Sequence, residues 1–206
     1  MIDTLIKEFD KGLRTVFTRA QSVRAHPDAQ LAENELSVAQ KRHAAALMRI
    51  NHTGEVCAQA LYNGQALTAH NVKTAAALKQ ASEEETEHLA WCEKRIRELG
   101  GRTSVLNPLW YAGSFALGAL AGAIGDKWSL GFLAETEHQV GRHLQSHLGK
   151  LAPTDEKSRA IIQQMQLDEA QHAASATAQG GAILPVPVQK AMQISSKIMT
   201  QTTYYL

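Results

Sequence analysis

The tetrapeptide ETEH at residues 85–88 and its counterpart EAQH at residues 169–172 decide the predicted fold of this 206-residue chain. Each carries a glutamate and a histidine three positions apart, which on an α-helix share one face at about 4.5 Å of axial rise. Both side chains can therefore reach one metal ion. A single pair is weak evidence, because charged residues are common on helix surfaces. Two pairs, each beside apolar residues of its own helix, favour metal ligands.

Each Glu-x-x-His pair also follows a helical stretch that carries an inward-facing glutamate. Glu55 precedes Glu85 by 30 positions, and Glu137 precedes Glu169 by 32. This order is the ligand pattern of ferritin-like di-iron carboxylate bundles, in which two helices supply one glutamate each and two supply Glu-x-x-His. The sequence therefore predicts six metal ligands: Glu55, Glu85, His88, Glu137, Glu169 and His172.

Glu137 has to be chosen over its neighbour Glu135 from the helical pattern. The stripe that contains Glu137 continues through Val140 and Leu144, whereas the stripe of Glu135 continues towards Arg142. An amphipathic helix turns its apolar stripe to the core. We therefore expect Glu137 in the core and Glu135 in solvent.

The remaining ionisable residues near the motifs receive plainer interpretations. Glu84 and Glu87 lie off the line from Glu85 to His88 and are predicted, with Glu83, to form a solvated face. His147 and His138 are predicted on the surface, and His143 is assigned either there or beside the ligands. Cys92 is predicted to be a small core residue.

The predicted ligand set is rich in oxygen, with four carboxylates and two imidazoles. Such a set suits a pair of iron or manganese ions better than structural zinc, which prefers four ligands rich in cysteine or histidine. Two divalent ions would also balance four buried negative charges. The alternative is a bundle with Glu–His hydrogen bonds and no metal, which would bury carboxylates without compensation.

The rest of the sequence is typical of an all-α protein. Helical patterns cover about 2–17, 38–69, 72–98, 128–149, 154–178 and 187–201, and no credible strand pair interrupts them. We predict a four-helix bundle over residues 37–206, preceded by an amphipathic helix and linker over residues 1–36 and ending in a short helix. A net charge of +1 argues against a nucleic-acid partner, and two cysteines cannot form a disulfide framework. The early acidic residues do not fit a secretory signal, so a reducing, cytosolic compartment is expected.

Residues 103–125 form an uncharged segment of 23 residues between the second and third core helices. This length could span a bilayer, but one proline and four glycines interrupt it, and the predicted ligands before and after it must meet in one bundle. The spacing of Ser114, Gly118 and Gly122 favours close helix packing. We predict an apolar helical insert on the bundle, with Trp110 and Tyr111 at a membrane interface. The side chains predicted to face the membrane are Leu109, Trp110, Phe115 and Leu117.

Six stretches of the chain together resemble the bacterial demethoxyubiquinone hydroxylases, which are di-iron monooxygenases. They are MRINHTGE at 48–55, YNGQ at 62–65, ETEHL at 85–89, LNPLW at 106–110, GFLAETE at 131–137 and DEAQH at 168–172. The resemblance implies the same six ligands that the helical faces give, with Glu85 and Glu169 in the place of carboxylates that can bridge two irons.

The same resemblance implies O₂-dependent hydroxylation of a 2-polyprenyl-3-methyl-6-methoxy-1,4-benzoquinol ring at two iron ions per chain. The chain lacks the Gly-x-Gly-x-x-Gly motif of dinucleotide-binding domains, so the reductant would be external. NADH is a candidate. The expected partners are the polyprenyl benzoquinol, the membrane surface and other ubiquinone-biosynthesis proteins. The expected location is the cytoplasmic face of the cell membrane, in a peripheral, monotopic arrangement.

Two other functions fit the bundle pattern. One is a ferritin-like iron-handling protein without hydroxylase activity, and the other is an adaptor bundle without catalysis. The apolar insert at 103–125 favours the hydroxylase, because a polyprenyl substrate needs an apolar entry and an iron-handling subunit does not.

Overall fold

A computed structural model describes residues 2–206, and that range contains seven α-helices and no β-strand. The helices are α1 (Ile2–Phe17), α2 (Val38–Thr68), α3 (Val72–Glu98), α4 (Asn107–Ile124), α5 (Asp126–Lys150), α6 (Glu156–Ala178) and α7 (Val186–Tyr205). Helices α2, α3, α5 and α6 form a ferritin-like four-helix bundle, so the predicted all-α fold is confirmed. Helix α7 has 20 residues and is longer than predicted.

The core helices begin and end where local side chains satisfy the free backbone groups. Ser37 and Gln40 form a capping box at the start of α2, with each side chain bonded to the other's backbone N–H. Asp155 caps α6 by accepting from the backbone N–H of Ser158. After α3, Gly100 turns the chain with a φ of +76°, a conformation that glycine adopts without strain. The helix end predicted at residue 98 is thus confirmed.

The apolar core has two main clusters, one on each side of the middle of the bundle. One contains Met48, Trp91 and Met165, and the other contains Tyr62 and Leu130. On each of the four core helices, the predicted ligands lie in the sequence between residues of the first cluster and residues of the second. The fold therefore brings the charged residues of four helices to one level.

Helix α4, which contains the predicted apolar insert, packs against α2 through glycines on both helices. A Cβ atom at Gly118 would overlap the carbonyl group of Leu61, and one at Gly64 would overlap the carbonyl of Phe115. The predicted close packing of this insert is therefore confirmed. No helix within residues 2–206 is both long enough and apolar enough to cross a membrane.

The side chains predicted to face a membrane from α4 differ in exposure. Leu109 and Leu117 are exposed, whereas Trp110 and Phe115 are half-buried. Tyr111 is buried against α1, so its predicted interfacial position is wrong. The expectation failed because α1 covers this part of α4.

The packing of α4 predicts opposite effects for two glycines of the same helix. Gly118→Ala should lower the free energy of unfolding by about 1–3 kcal/mol, because the backbones must separate to admit the methyl group. Gly113→Ala should be neutral or stabilising by up to about 1 kcal/mol, because its Cβ would meet nothing within 4 Å. Urea unfolding of both variants measures the difference. Equal effects would contradict the packing described for α4.

Candidate metal centre

All six predicted ligands meet in the middle of the bundle. Two groups of four residues bring one ligand atom each within 4.8 Å of one another. The first group is Glu55, Glu85, His88 and Glu169, and the second is Glu85, Glu137, Glu169 and His172. Every member is buried, and Glu85 and Glu169 belong to both groups. The geometry therefore describes two adjacent sites that share two carboxylates.

Both histidines turn Nδ1 towards the shared carboxylates. His88 Nδ1 lies 2.9 Å from Glu85 Oε2, with which it forms a hydrogen bond, and 3.1 Å from Glu169 Oε1. His172 Nδ1 lies 3.1 Å from Glu169 Oε2 and 3.5 Å from Glu85 Oε1. The two Glu-x-x-His units thus face each other across the bundle with equivalent contacts.

Within residues 2–206, the cluster contains more buried carboxylate oxygens than its own hydrogen-bond donors reach. The Oε1 atoms of Glu55, Glu85 and Glu169 are buried without a hydrogen-bond partner. Burial, and then the neighbouring carboxylates, raise the pKa of Glu55 and of Glu137 well above the usual range. Burial also opposes ionisation of Glu85, but hydrogen bonds from His172 and His88 outweigh it and lower the Glu85 pKa to about 2.

These residues fit a pair of divalent cations. Four glutamates supply four negative charges, which two divalent ions would balance, and free buried oxygens are the ligands that such ions require. The alternative of a bundle with Glu–His hydrogen bonds alone leaves those oxygens without a partner.

Tyr62 is a further polar residue of the centre. Its hydroxyl donates to Glu137 Oε1, and the side chain is fully buried between α2 and α5. Burial and the Glu137 carboxylate raise the Tyr62 pKa well above its ordinary value, so the hydroxyl remains a donor. Glu137 is therefore oriented by a protein partner, in contrast to Glu55.

A second carboxylate supports each histidine from the opposite helix. Asp168 Oδ2 lies 3.0 Å from His88 Nε2, and Glu84 Oε2 lies 2.6 Å from His172 Nε2. Carboxylates behind metal-binding histidines fix the tautomer and the orientation of the ring. Glu84 therefore lies on a partly solvated face, as predicted, but its carboxylate also contacts a predicted ligand, which helical periodicity does not predict. The sequence did carry a signal, since an acidic residue directly precedes the ligand glutamate in both motifs.

Two residues predicted on the surface are buried. Glu87 accepts from the backbone N–H groups of Val23 and Arg24, at 3.0 and 3.1 Å. His147 lies with Nδ1 2.8 Å from Asn51 Oδ1, in the interior between α2 and α5. Their helices gave no sign of these partners, which come from distant parts of the chain.

The choice between Glu135 and Glu137 agrees with the side-chain positions. Glu137 lies in the cluster, whereas Glu135 lies outside it and accepts from Gln139 Nε2 at 2.7 Å. Glu135 also pairs with Arg142 at 3.4 Å on the outer side of α5. It is half-buried rather than solvated.

A cavity of about 180 Å³ reaches the centre from the side of Glu55. Helices α2, α4, α5 and α7 line it, and most of its wall is apolar. His143 also lines this cavity, and its buried Nε2 has no hydrogen-bond partner. Burial lowers the His143 pKa to about 4, so the ring is neutral at pH 7. The apolar lining residues include Leu61, Trp110, Leu117, Phe132, Val140, Met192 and Met199.

Known proteins are similar to this chain over most of its length or all of it. Residues 42–203 match the family described as ubiquinone biosynthesis protein COQ7. The chain is 62% identical to a 3-demethoxyubiquinol 3-hydroxylase of Chromobacterium violaceum over 204 residues, which cover 99% of each protein. It is 61% identical to the protein of the same name from Nitrosomonas europaea, over 100% of this chain and 99% of that protein. A third such protein, from Nitrosospira multiformis, is 60% identical over 100% of this chain and 99% of its own length.

The geometry of the cluster predicts different metal contents for two glutamate variants. Glu169→Ala should lose most of the bound metal, because it removes a carboxylate that both groups share. Glu135→Ala is the matched control and should keep its metal, since Glu135 lies outside the cluster. Elemental analysis of the purified proteins after ferrous loading measures both. Full occupancy in Glu169→Ala, or loss in Glu135→Ala, would contradict the assignment of the ligands.

Proposed function

The chain belongs to the family of the ubiquinone biosynthesis protein COQ7, and from this premise we propose that it hydroxylates the ring of a polyprenylated demethoxyubiquinol with O₂ at a pair of iron ions. The observation that carries the proposal is the junction of an apolar cavity with a buried carboxylate–histidine cluster at Glu55. A quinol with an apolar tail would bind in the apolar cavity, and its ring must reach the cluster to react there.

The residues that would hold the irons follow from the two groups of the cluster. Glu55 and His88 would bind one ion, Glu137 and His172 the other, and Glu85 and Glu169 both. When bound, the reduced iron pair supplies the redox chemistry of O₂ activation, which no side chain offers. Asp168 and Glu84 would hold the histidine rings in position from behind.

The cavity would bind and orient the substrate. Its apolar wall would exclude water from the ring, and its opening to the surface would admit the polyprenyl tail. His143 Nε2 is available to a polar ring substituent, because it has no partner in the protein. The reductant would come from outside the chain, with NADH a candidate.

A ferritin-like iron-handling protein remains the alternative function. The metal cluster alone would serve both functions, so the cavity decides between them. An iron-handling protein needs no apolar passage, whereas the passage to Glu55 has a mostly apolar lining that suits an apolar substrate. The hydroxylase is the better fit.

We further propose that the protein works at the cytoplasmic face of the cell membrane as a peripheral protein. Exposed apolar side chains form one stripe along α4, namely Leu109, Leu117, Leu120 and Ile124. Ile194 and Ile198 of α7 are exposed as well, and both α4 and α7 line the cavity. A membrane against this surface would deliver a lipid-soluble substrate directly to the cavity. Other ubiquinone-biosynthesis proteins are proposed as partners of the same surface.

The proposed reaction predicts incorporation of one oxygen atom into the ring. The iron-loaded protein is mixed anaerobically with a short-chain demethoxyubiquinol and then exposed to ¹⁸O₂ and a reductant. We expect mass spectrometry to find one ¹⁸O atom in a new ring hydroxyl. Iron oxidation without a hydroxylated ring would favour the iron-handling protein instead.

A cavity variant links this reaction to the apolar passage. Gly54 lines the cavity and a Cβ there would meet nothing within 4 Å, so Gly54→Leu should fill the passage. We expect the KM for the quinol to rise by at least about tenfold, equivalent to about 1.4 kcal/mol of binding, with iron content unchanged. Gly149→Leu, at an exposed position of α5 with similar free space, is the control.

The proposed membrane contact predicts unequal effects of two exposed leucines. Leu120→Glu should weaken flotation with phosphatidylethanolamine–phosphatidylglycerol vesicles several-fold, because it places a charge in the apolar stripe of α4. Leu167→Glu is the matched control, since Leu167 is equally exposed on α6. Carbonate should release the wild-type protein from membranes. Resistance to carbonate, or equal flotation of both variants, would contradict the proposed membrane contact.

A further inference from the structure

We propose that Arg24, in the non-helical segment before the bundle, is a positioning residue for the His88 side of the metal pair, and that the two metal positions therefore hold their ions with unequal strength. The inference rests on the proposed iron pair. Arg24 lies outside residues 42–203, the part of the chain that matches the family.

The segment of residues 18–36, here called the N-terminal strap, is fixed to α3 next to His88. Glu87 accepts from two strap backbone N–H groups and from the hydroxyl of Ser22. Trp91 Nε1 donates to Ser22 Oγ at 3.1 Å, and the Arg24 guanidinium lies 4.8 Å from the centre of the Trp91 ring. Stacking on an aromatic face restricts the orientation of a guanidinium.

Two ion pairs hold the far end of the strap. Lys94 Nζ lies 3.0 Å from the buried Asp28, and Arg95 pairs with Glu33 at 2.7 and 3.1 Å. The strap is therefore bound along its length, and Arg24 has a defined position on the bundle.

From this position the guanidinium fork of Arg24 forms a bidentate hydrogen bond with the Asp168 carboxylate. Its Nη1 donates to Asp168 Oδ2 at 2.8 Å and its Nη2 to Oδ1 at 3.3 Å. Asp168 Oδ2 is also the atom that contacts His88 Nε2 at 3.0 Å. A fork of this kind fixes both the position and the plane of a carboxylate. Arg24 thus acts on His88 through Asp168.

The equivalent carboxylate on the other side has no such support. Glu84 contacts His172 Nε2, but its other side-chain partner is the neutral amide of Gln80, at 2.9 Å. The side chain of Glu84 is 42% exposed, against 17% for Asp168. A small cavity of about 80 Å³ also reaches both Glu84 and His172 from outside. Water can therefore compete for the carboxylate behind His172 more readily than for the one behind His88.

Two effects of Arg24 on the His88 site oppose each other. Its positive charge draws electron density from Asp168 and so makes the imidazole a weaker donor to a metal ion, whereas its fork keeps the imidazole aligned. We expect alignment to dominate, because without Arg24 the carboxylate can turn to water and leave His88 Nε2 unpaired. Loss of such outer partners costs about 10–100-fold in metal affinity in other metal sites.

The test follows the release of two ferrous ions from the loaded protein to an excess chelator under anaerobic conditions. The wild type should release iron in two phases. The fast phase is expected from the His172 side and the slow phase from the His88 side. Arg24→Gln should accelerate the slow phase about tenfold, and Arg24→Lys, which keeps the charge without the fork, should have an intermediate effect. Glu84→Gln should accelerate only the fast phase. Arg14→Gln is the matched control, because Arg14 is an exposed arginine of α1 whose side chain pairs with Asp10, at 2.8 Å.

A spectroscopic measurement separates positioning from a general loss of stability. In the ⁵⁷Fe-loaded protein, Arg24→Gln should change the Mössbauer parameters of one iron and leave the other as in the wild type. Equal acceleration of both phases, or unchanged spectra and release, would overturn the role of Arg24 while leaving the proposed hydroxylase intact. A wild type that does not retain two irons would overturn both proposals.

Discussion

The burial of four carboxylates in an apolar bundle is the constraint on which the rest of this structure depends. Isolated charges in a protein interior are costly, so they need cations, protons or hydrogen-bond donors. Here two histidines and one tyrosine supply donors, but three carboxylate oxygens still have no hydrogen-bond partner. The two apolar clusters on either side isolate the charged layer from water. A metal pair bound in this charged layer would have ligands from all four core helices. It would therefore link the helices to one another at the most polar level of the core.

The two sides of the charged layer differ in polarity. On the side of α3 and α6, carboxylates, an arginine and the strap form a connected polar network behind the histidines. On the side of α2 and α4, the glycines Gly64 and Gly118 bring the backbones together and leave an apolar wall. The first arrangement can orient ligands, and the second can bind an apolar substrate. In the proposed hydroxylase, the residues that orient the metal ligands would thus differ from the apolar residues that bind the ring.

Helical periodicity predicts the four core helices and the inward faces of their glutamates, because both depend on local spacing. It places Glu137 rather than Glu135 in the core for the same reason. It does not predict the partners of Glu87 and Glu84, since a helical face that looks polar in isolation can be covered by another segment. The strap covers Glu87, and His172 of α6 contacts Glu84, and neither contact has a periodic signal. The same holds for α7, whose Met192 and Met199 complete the cavity from the far end of the chain.

The two openings to the metal layer differ in a way that follows from the ligands themselves. Glu137 is tied to Tyr62, whereas Glu55 keeps a buried oxygen without a partner, and Glu55 is the ligand that lines the apolar cavity. A substrate in that cavity therefore approaches the centre beside its least restrained carboxylate. The small second cavity ends at His172 and Glu84, where the lining is partly polar and the carboxylate is exposed. In the proposed hydroxylase, an apolar ring and a hydrated ion would therefore use separate openings, because an apolar lining disfavours the ion and a polar lining disfavours the ring.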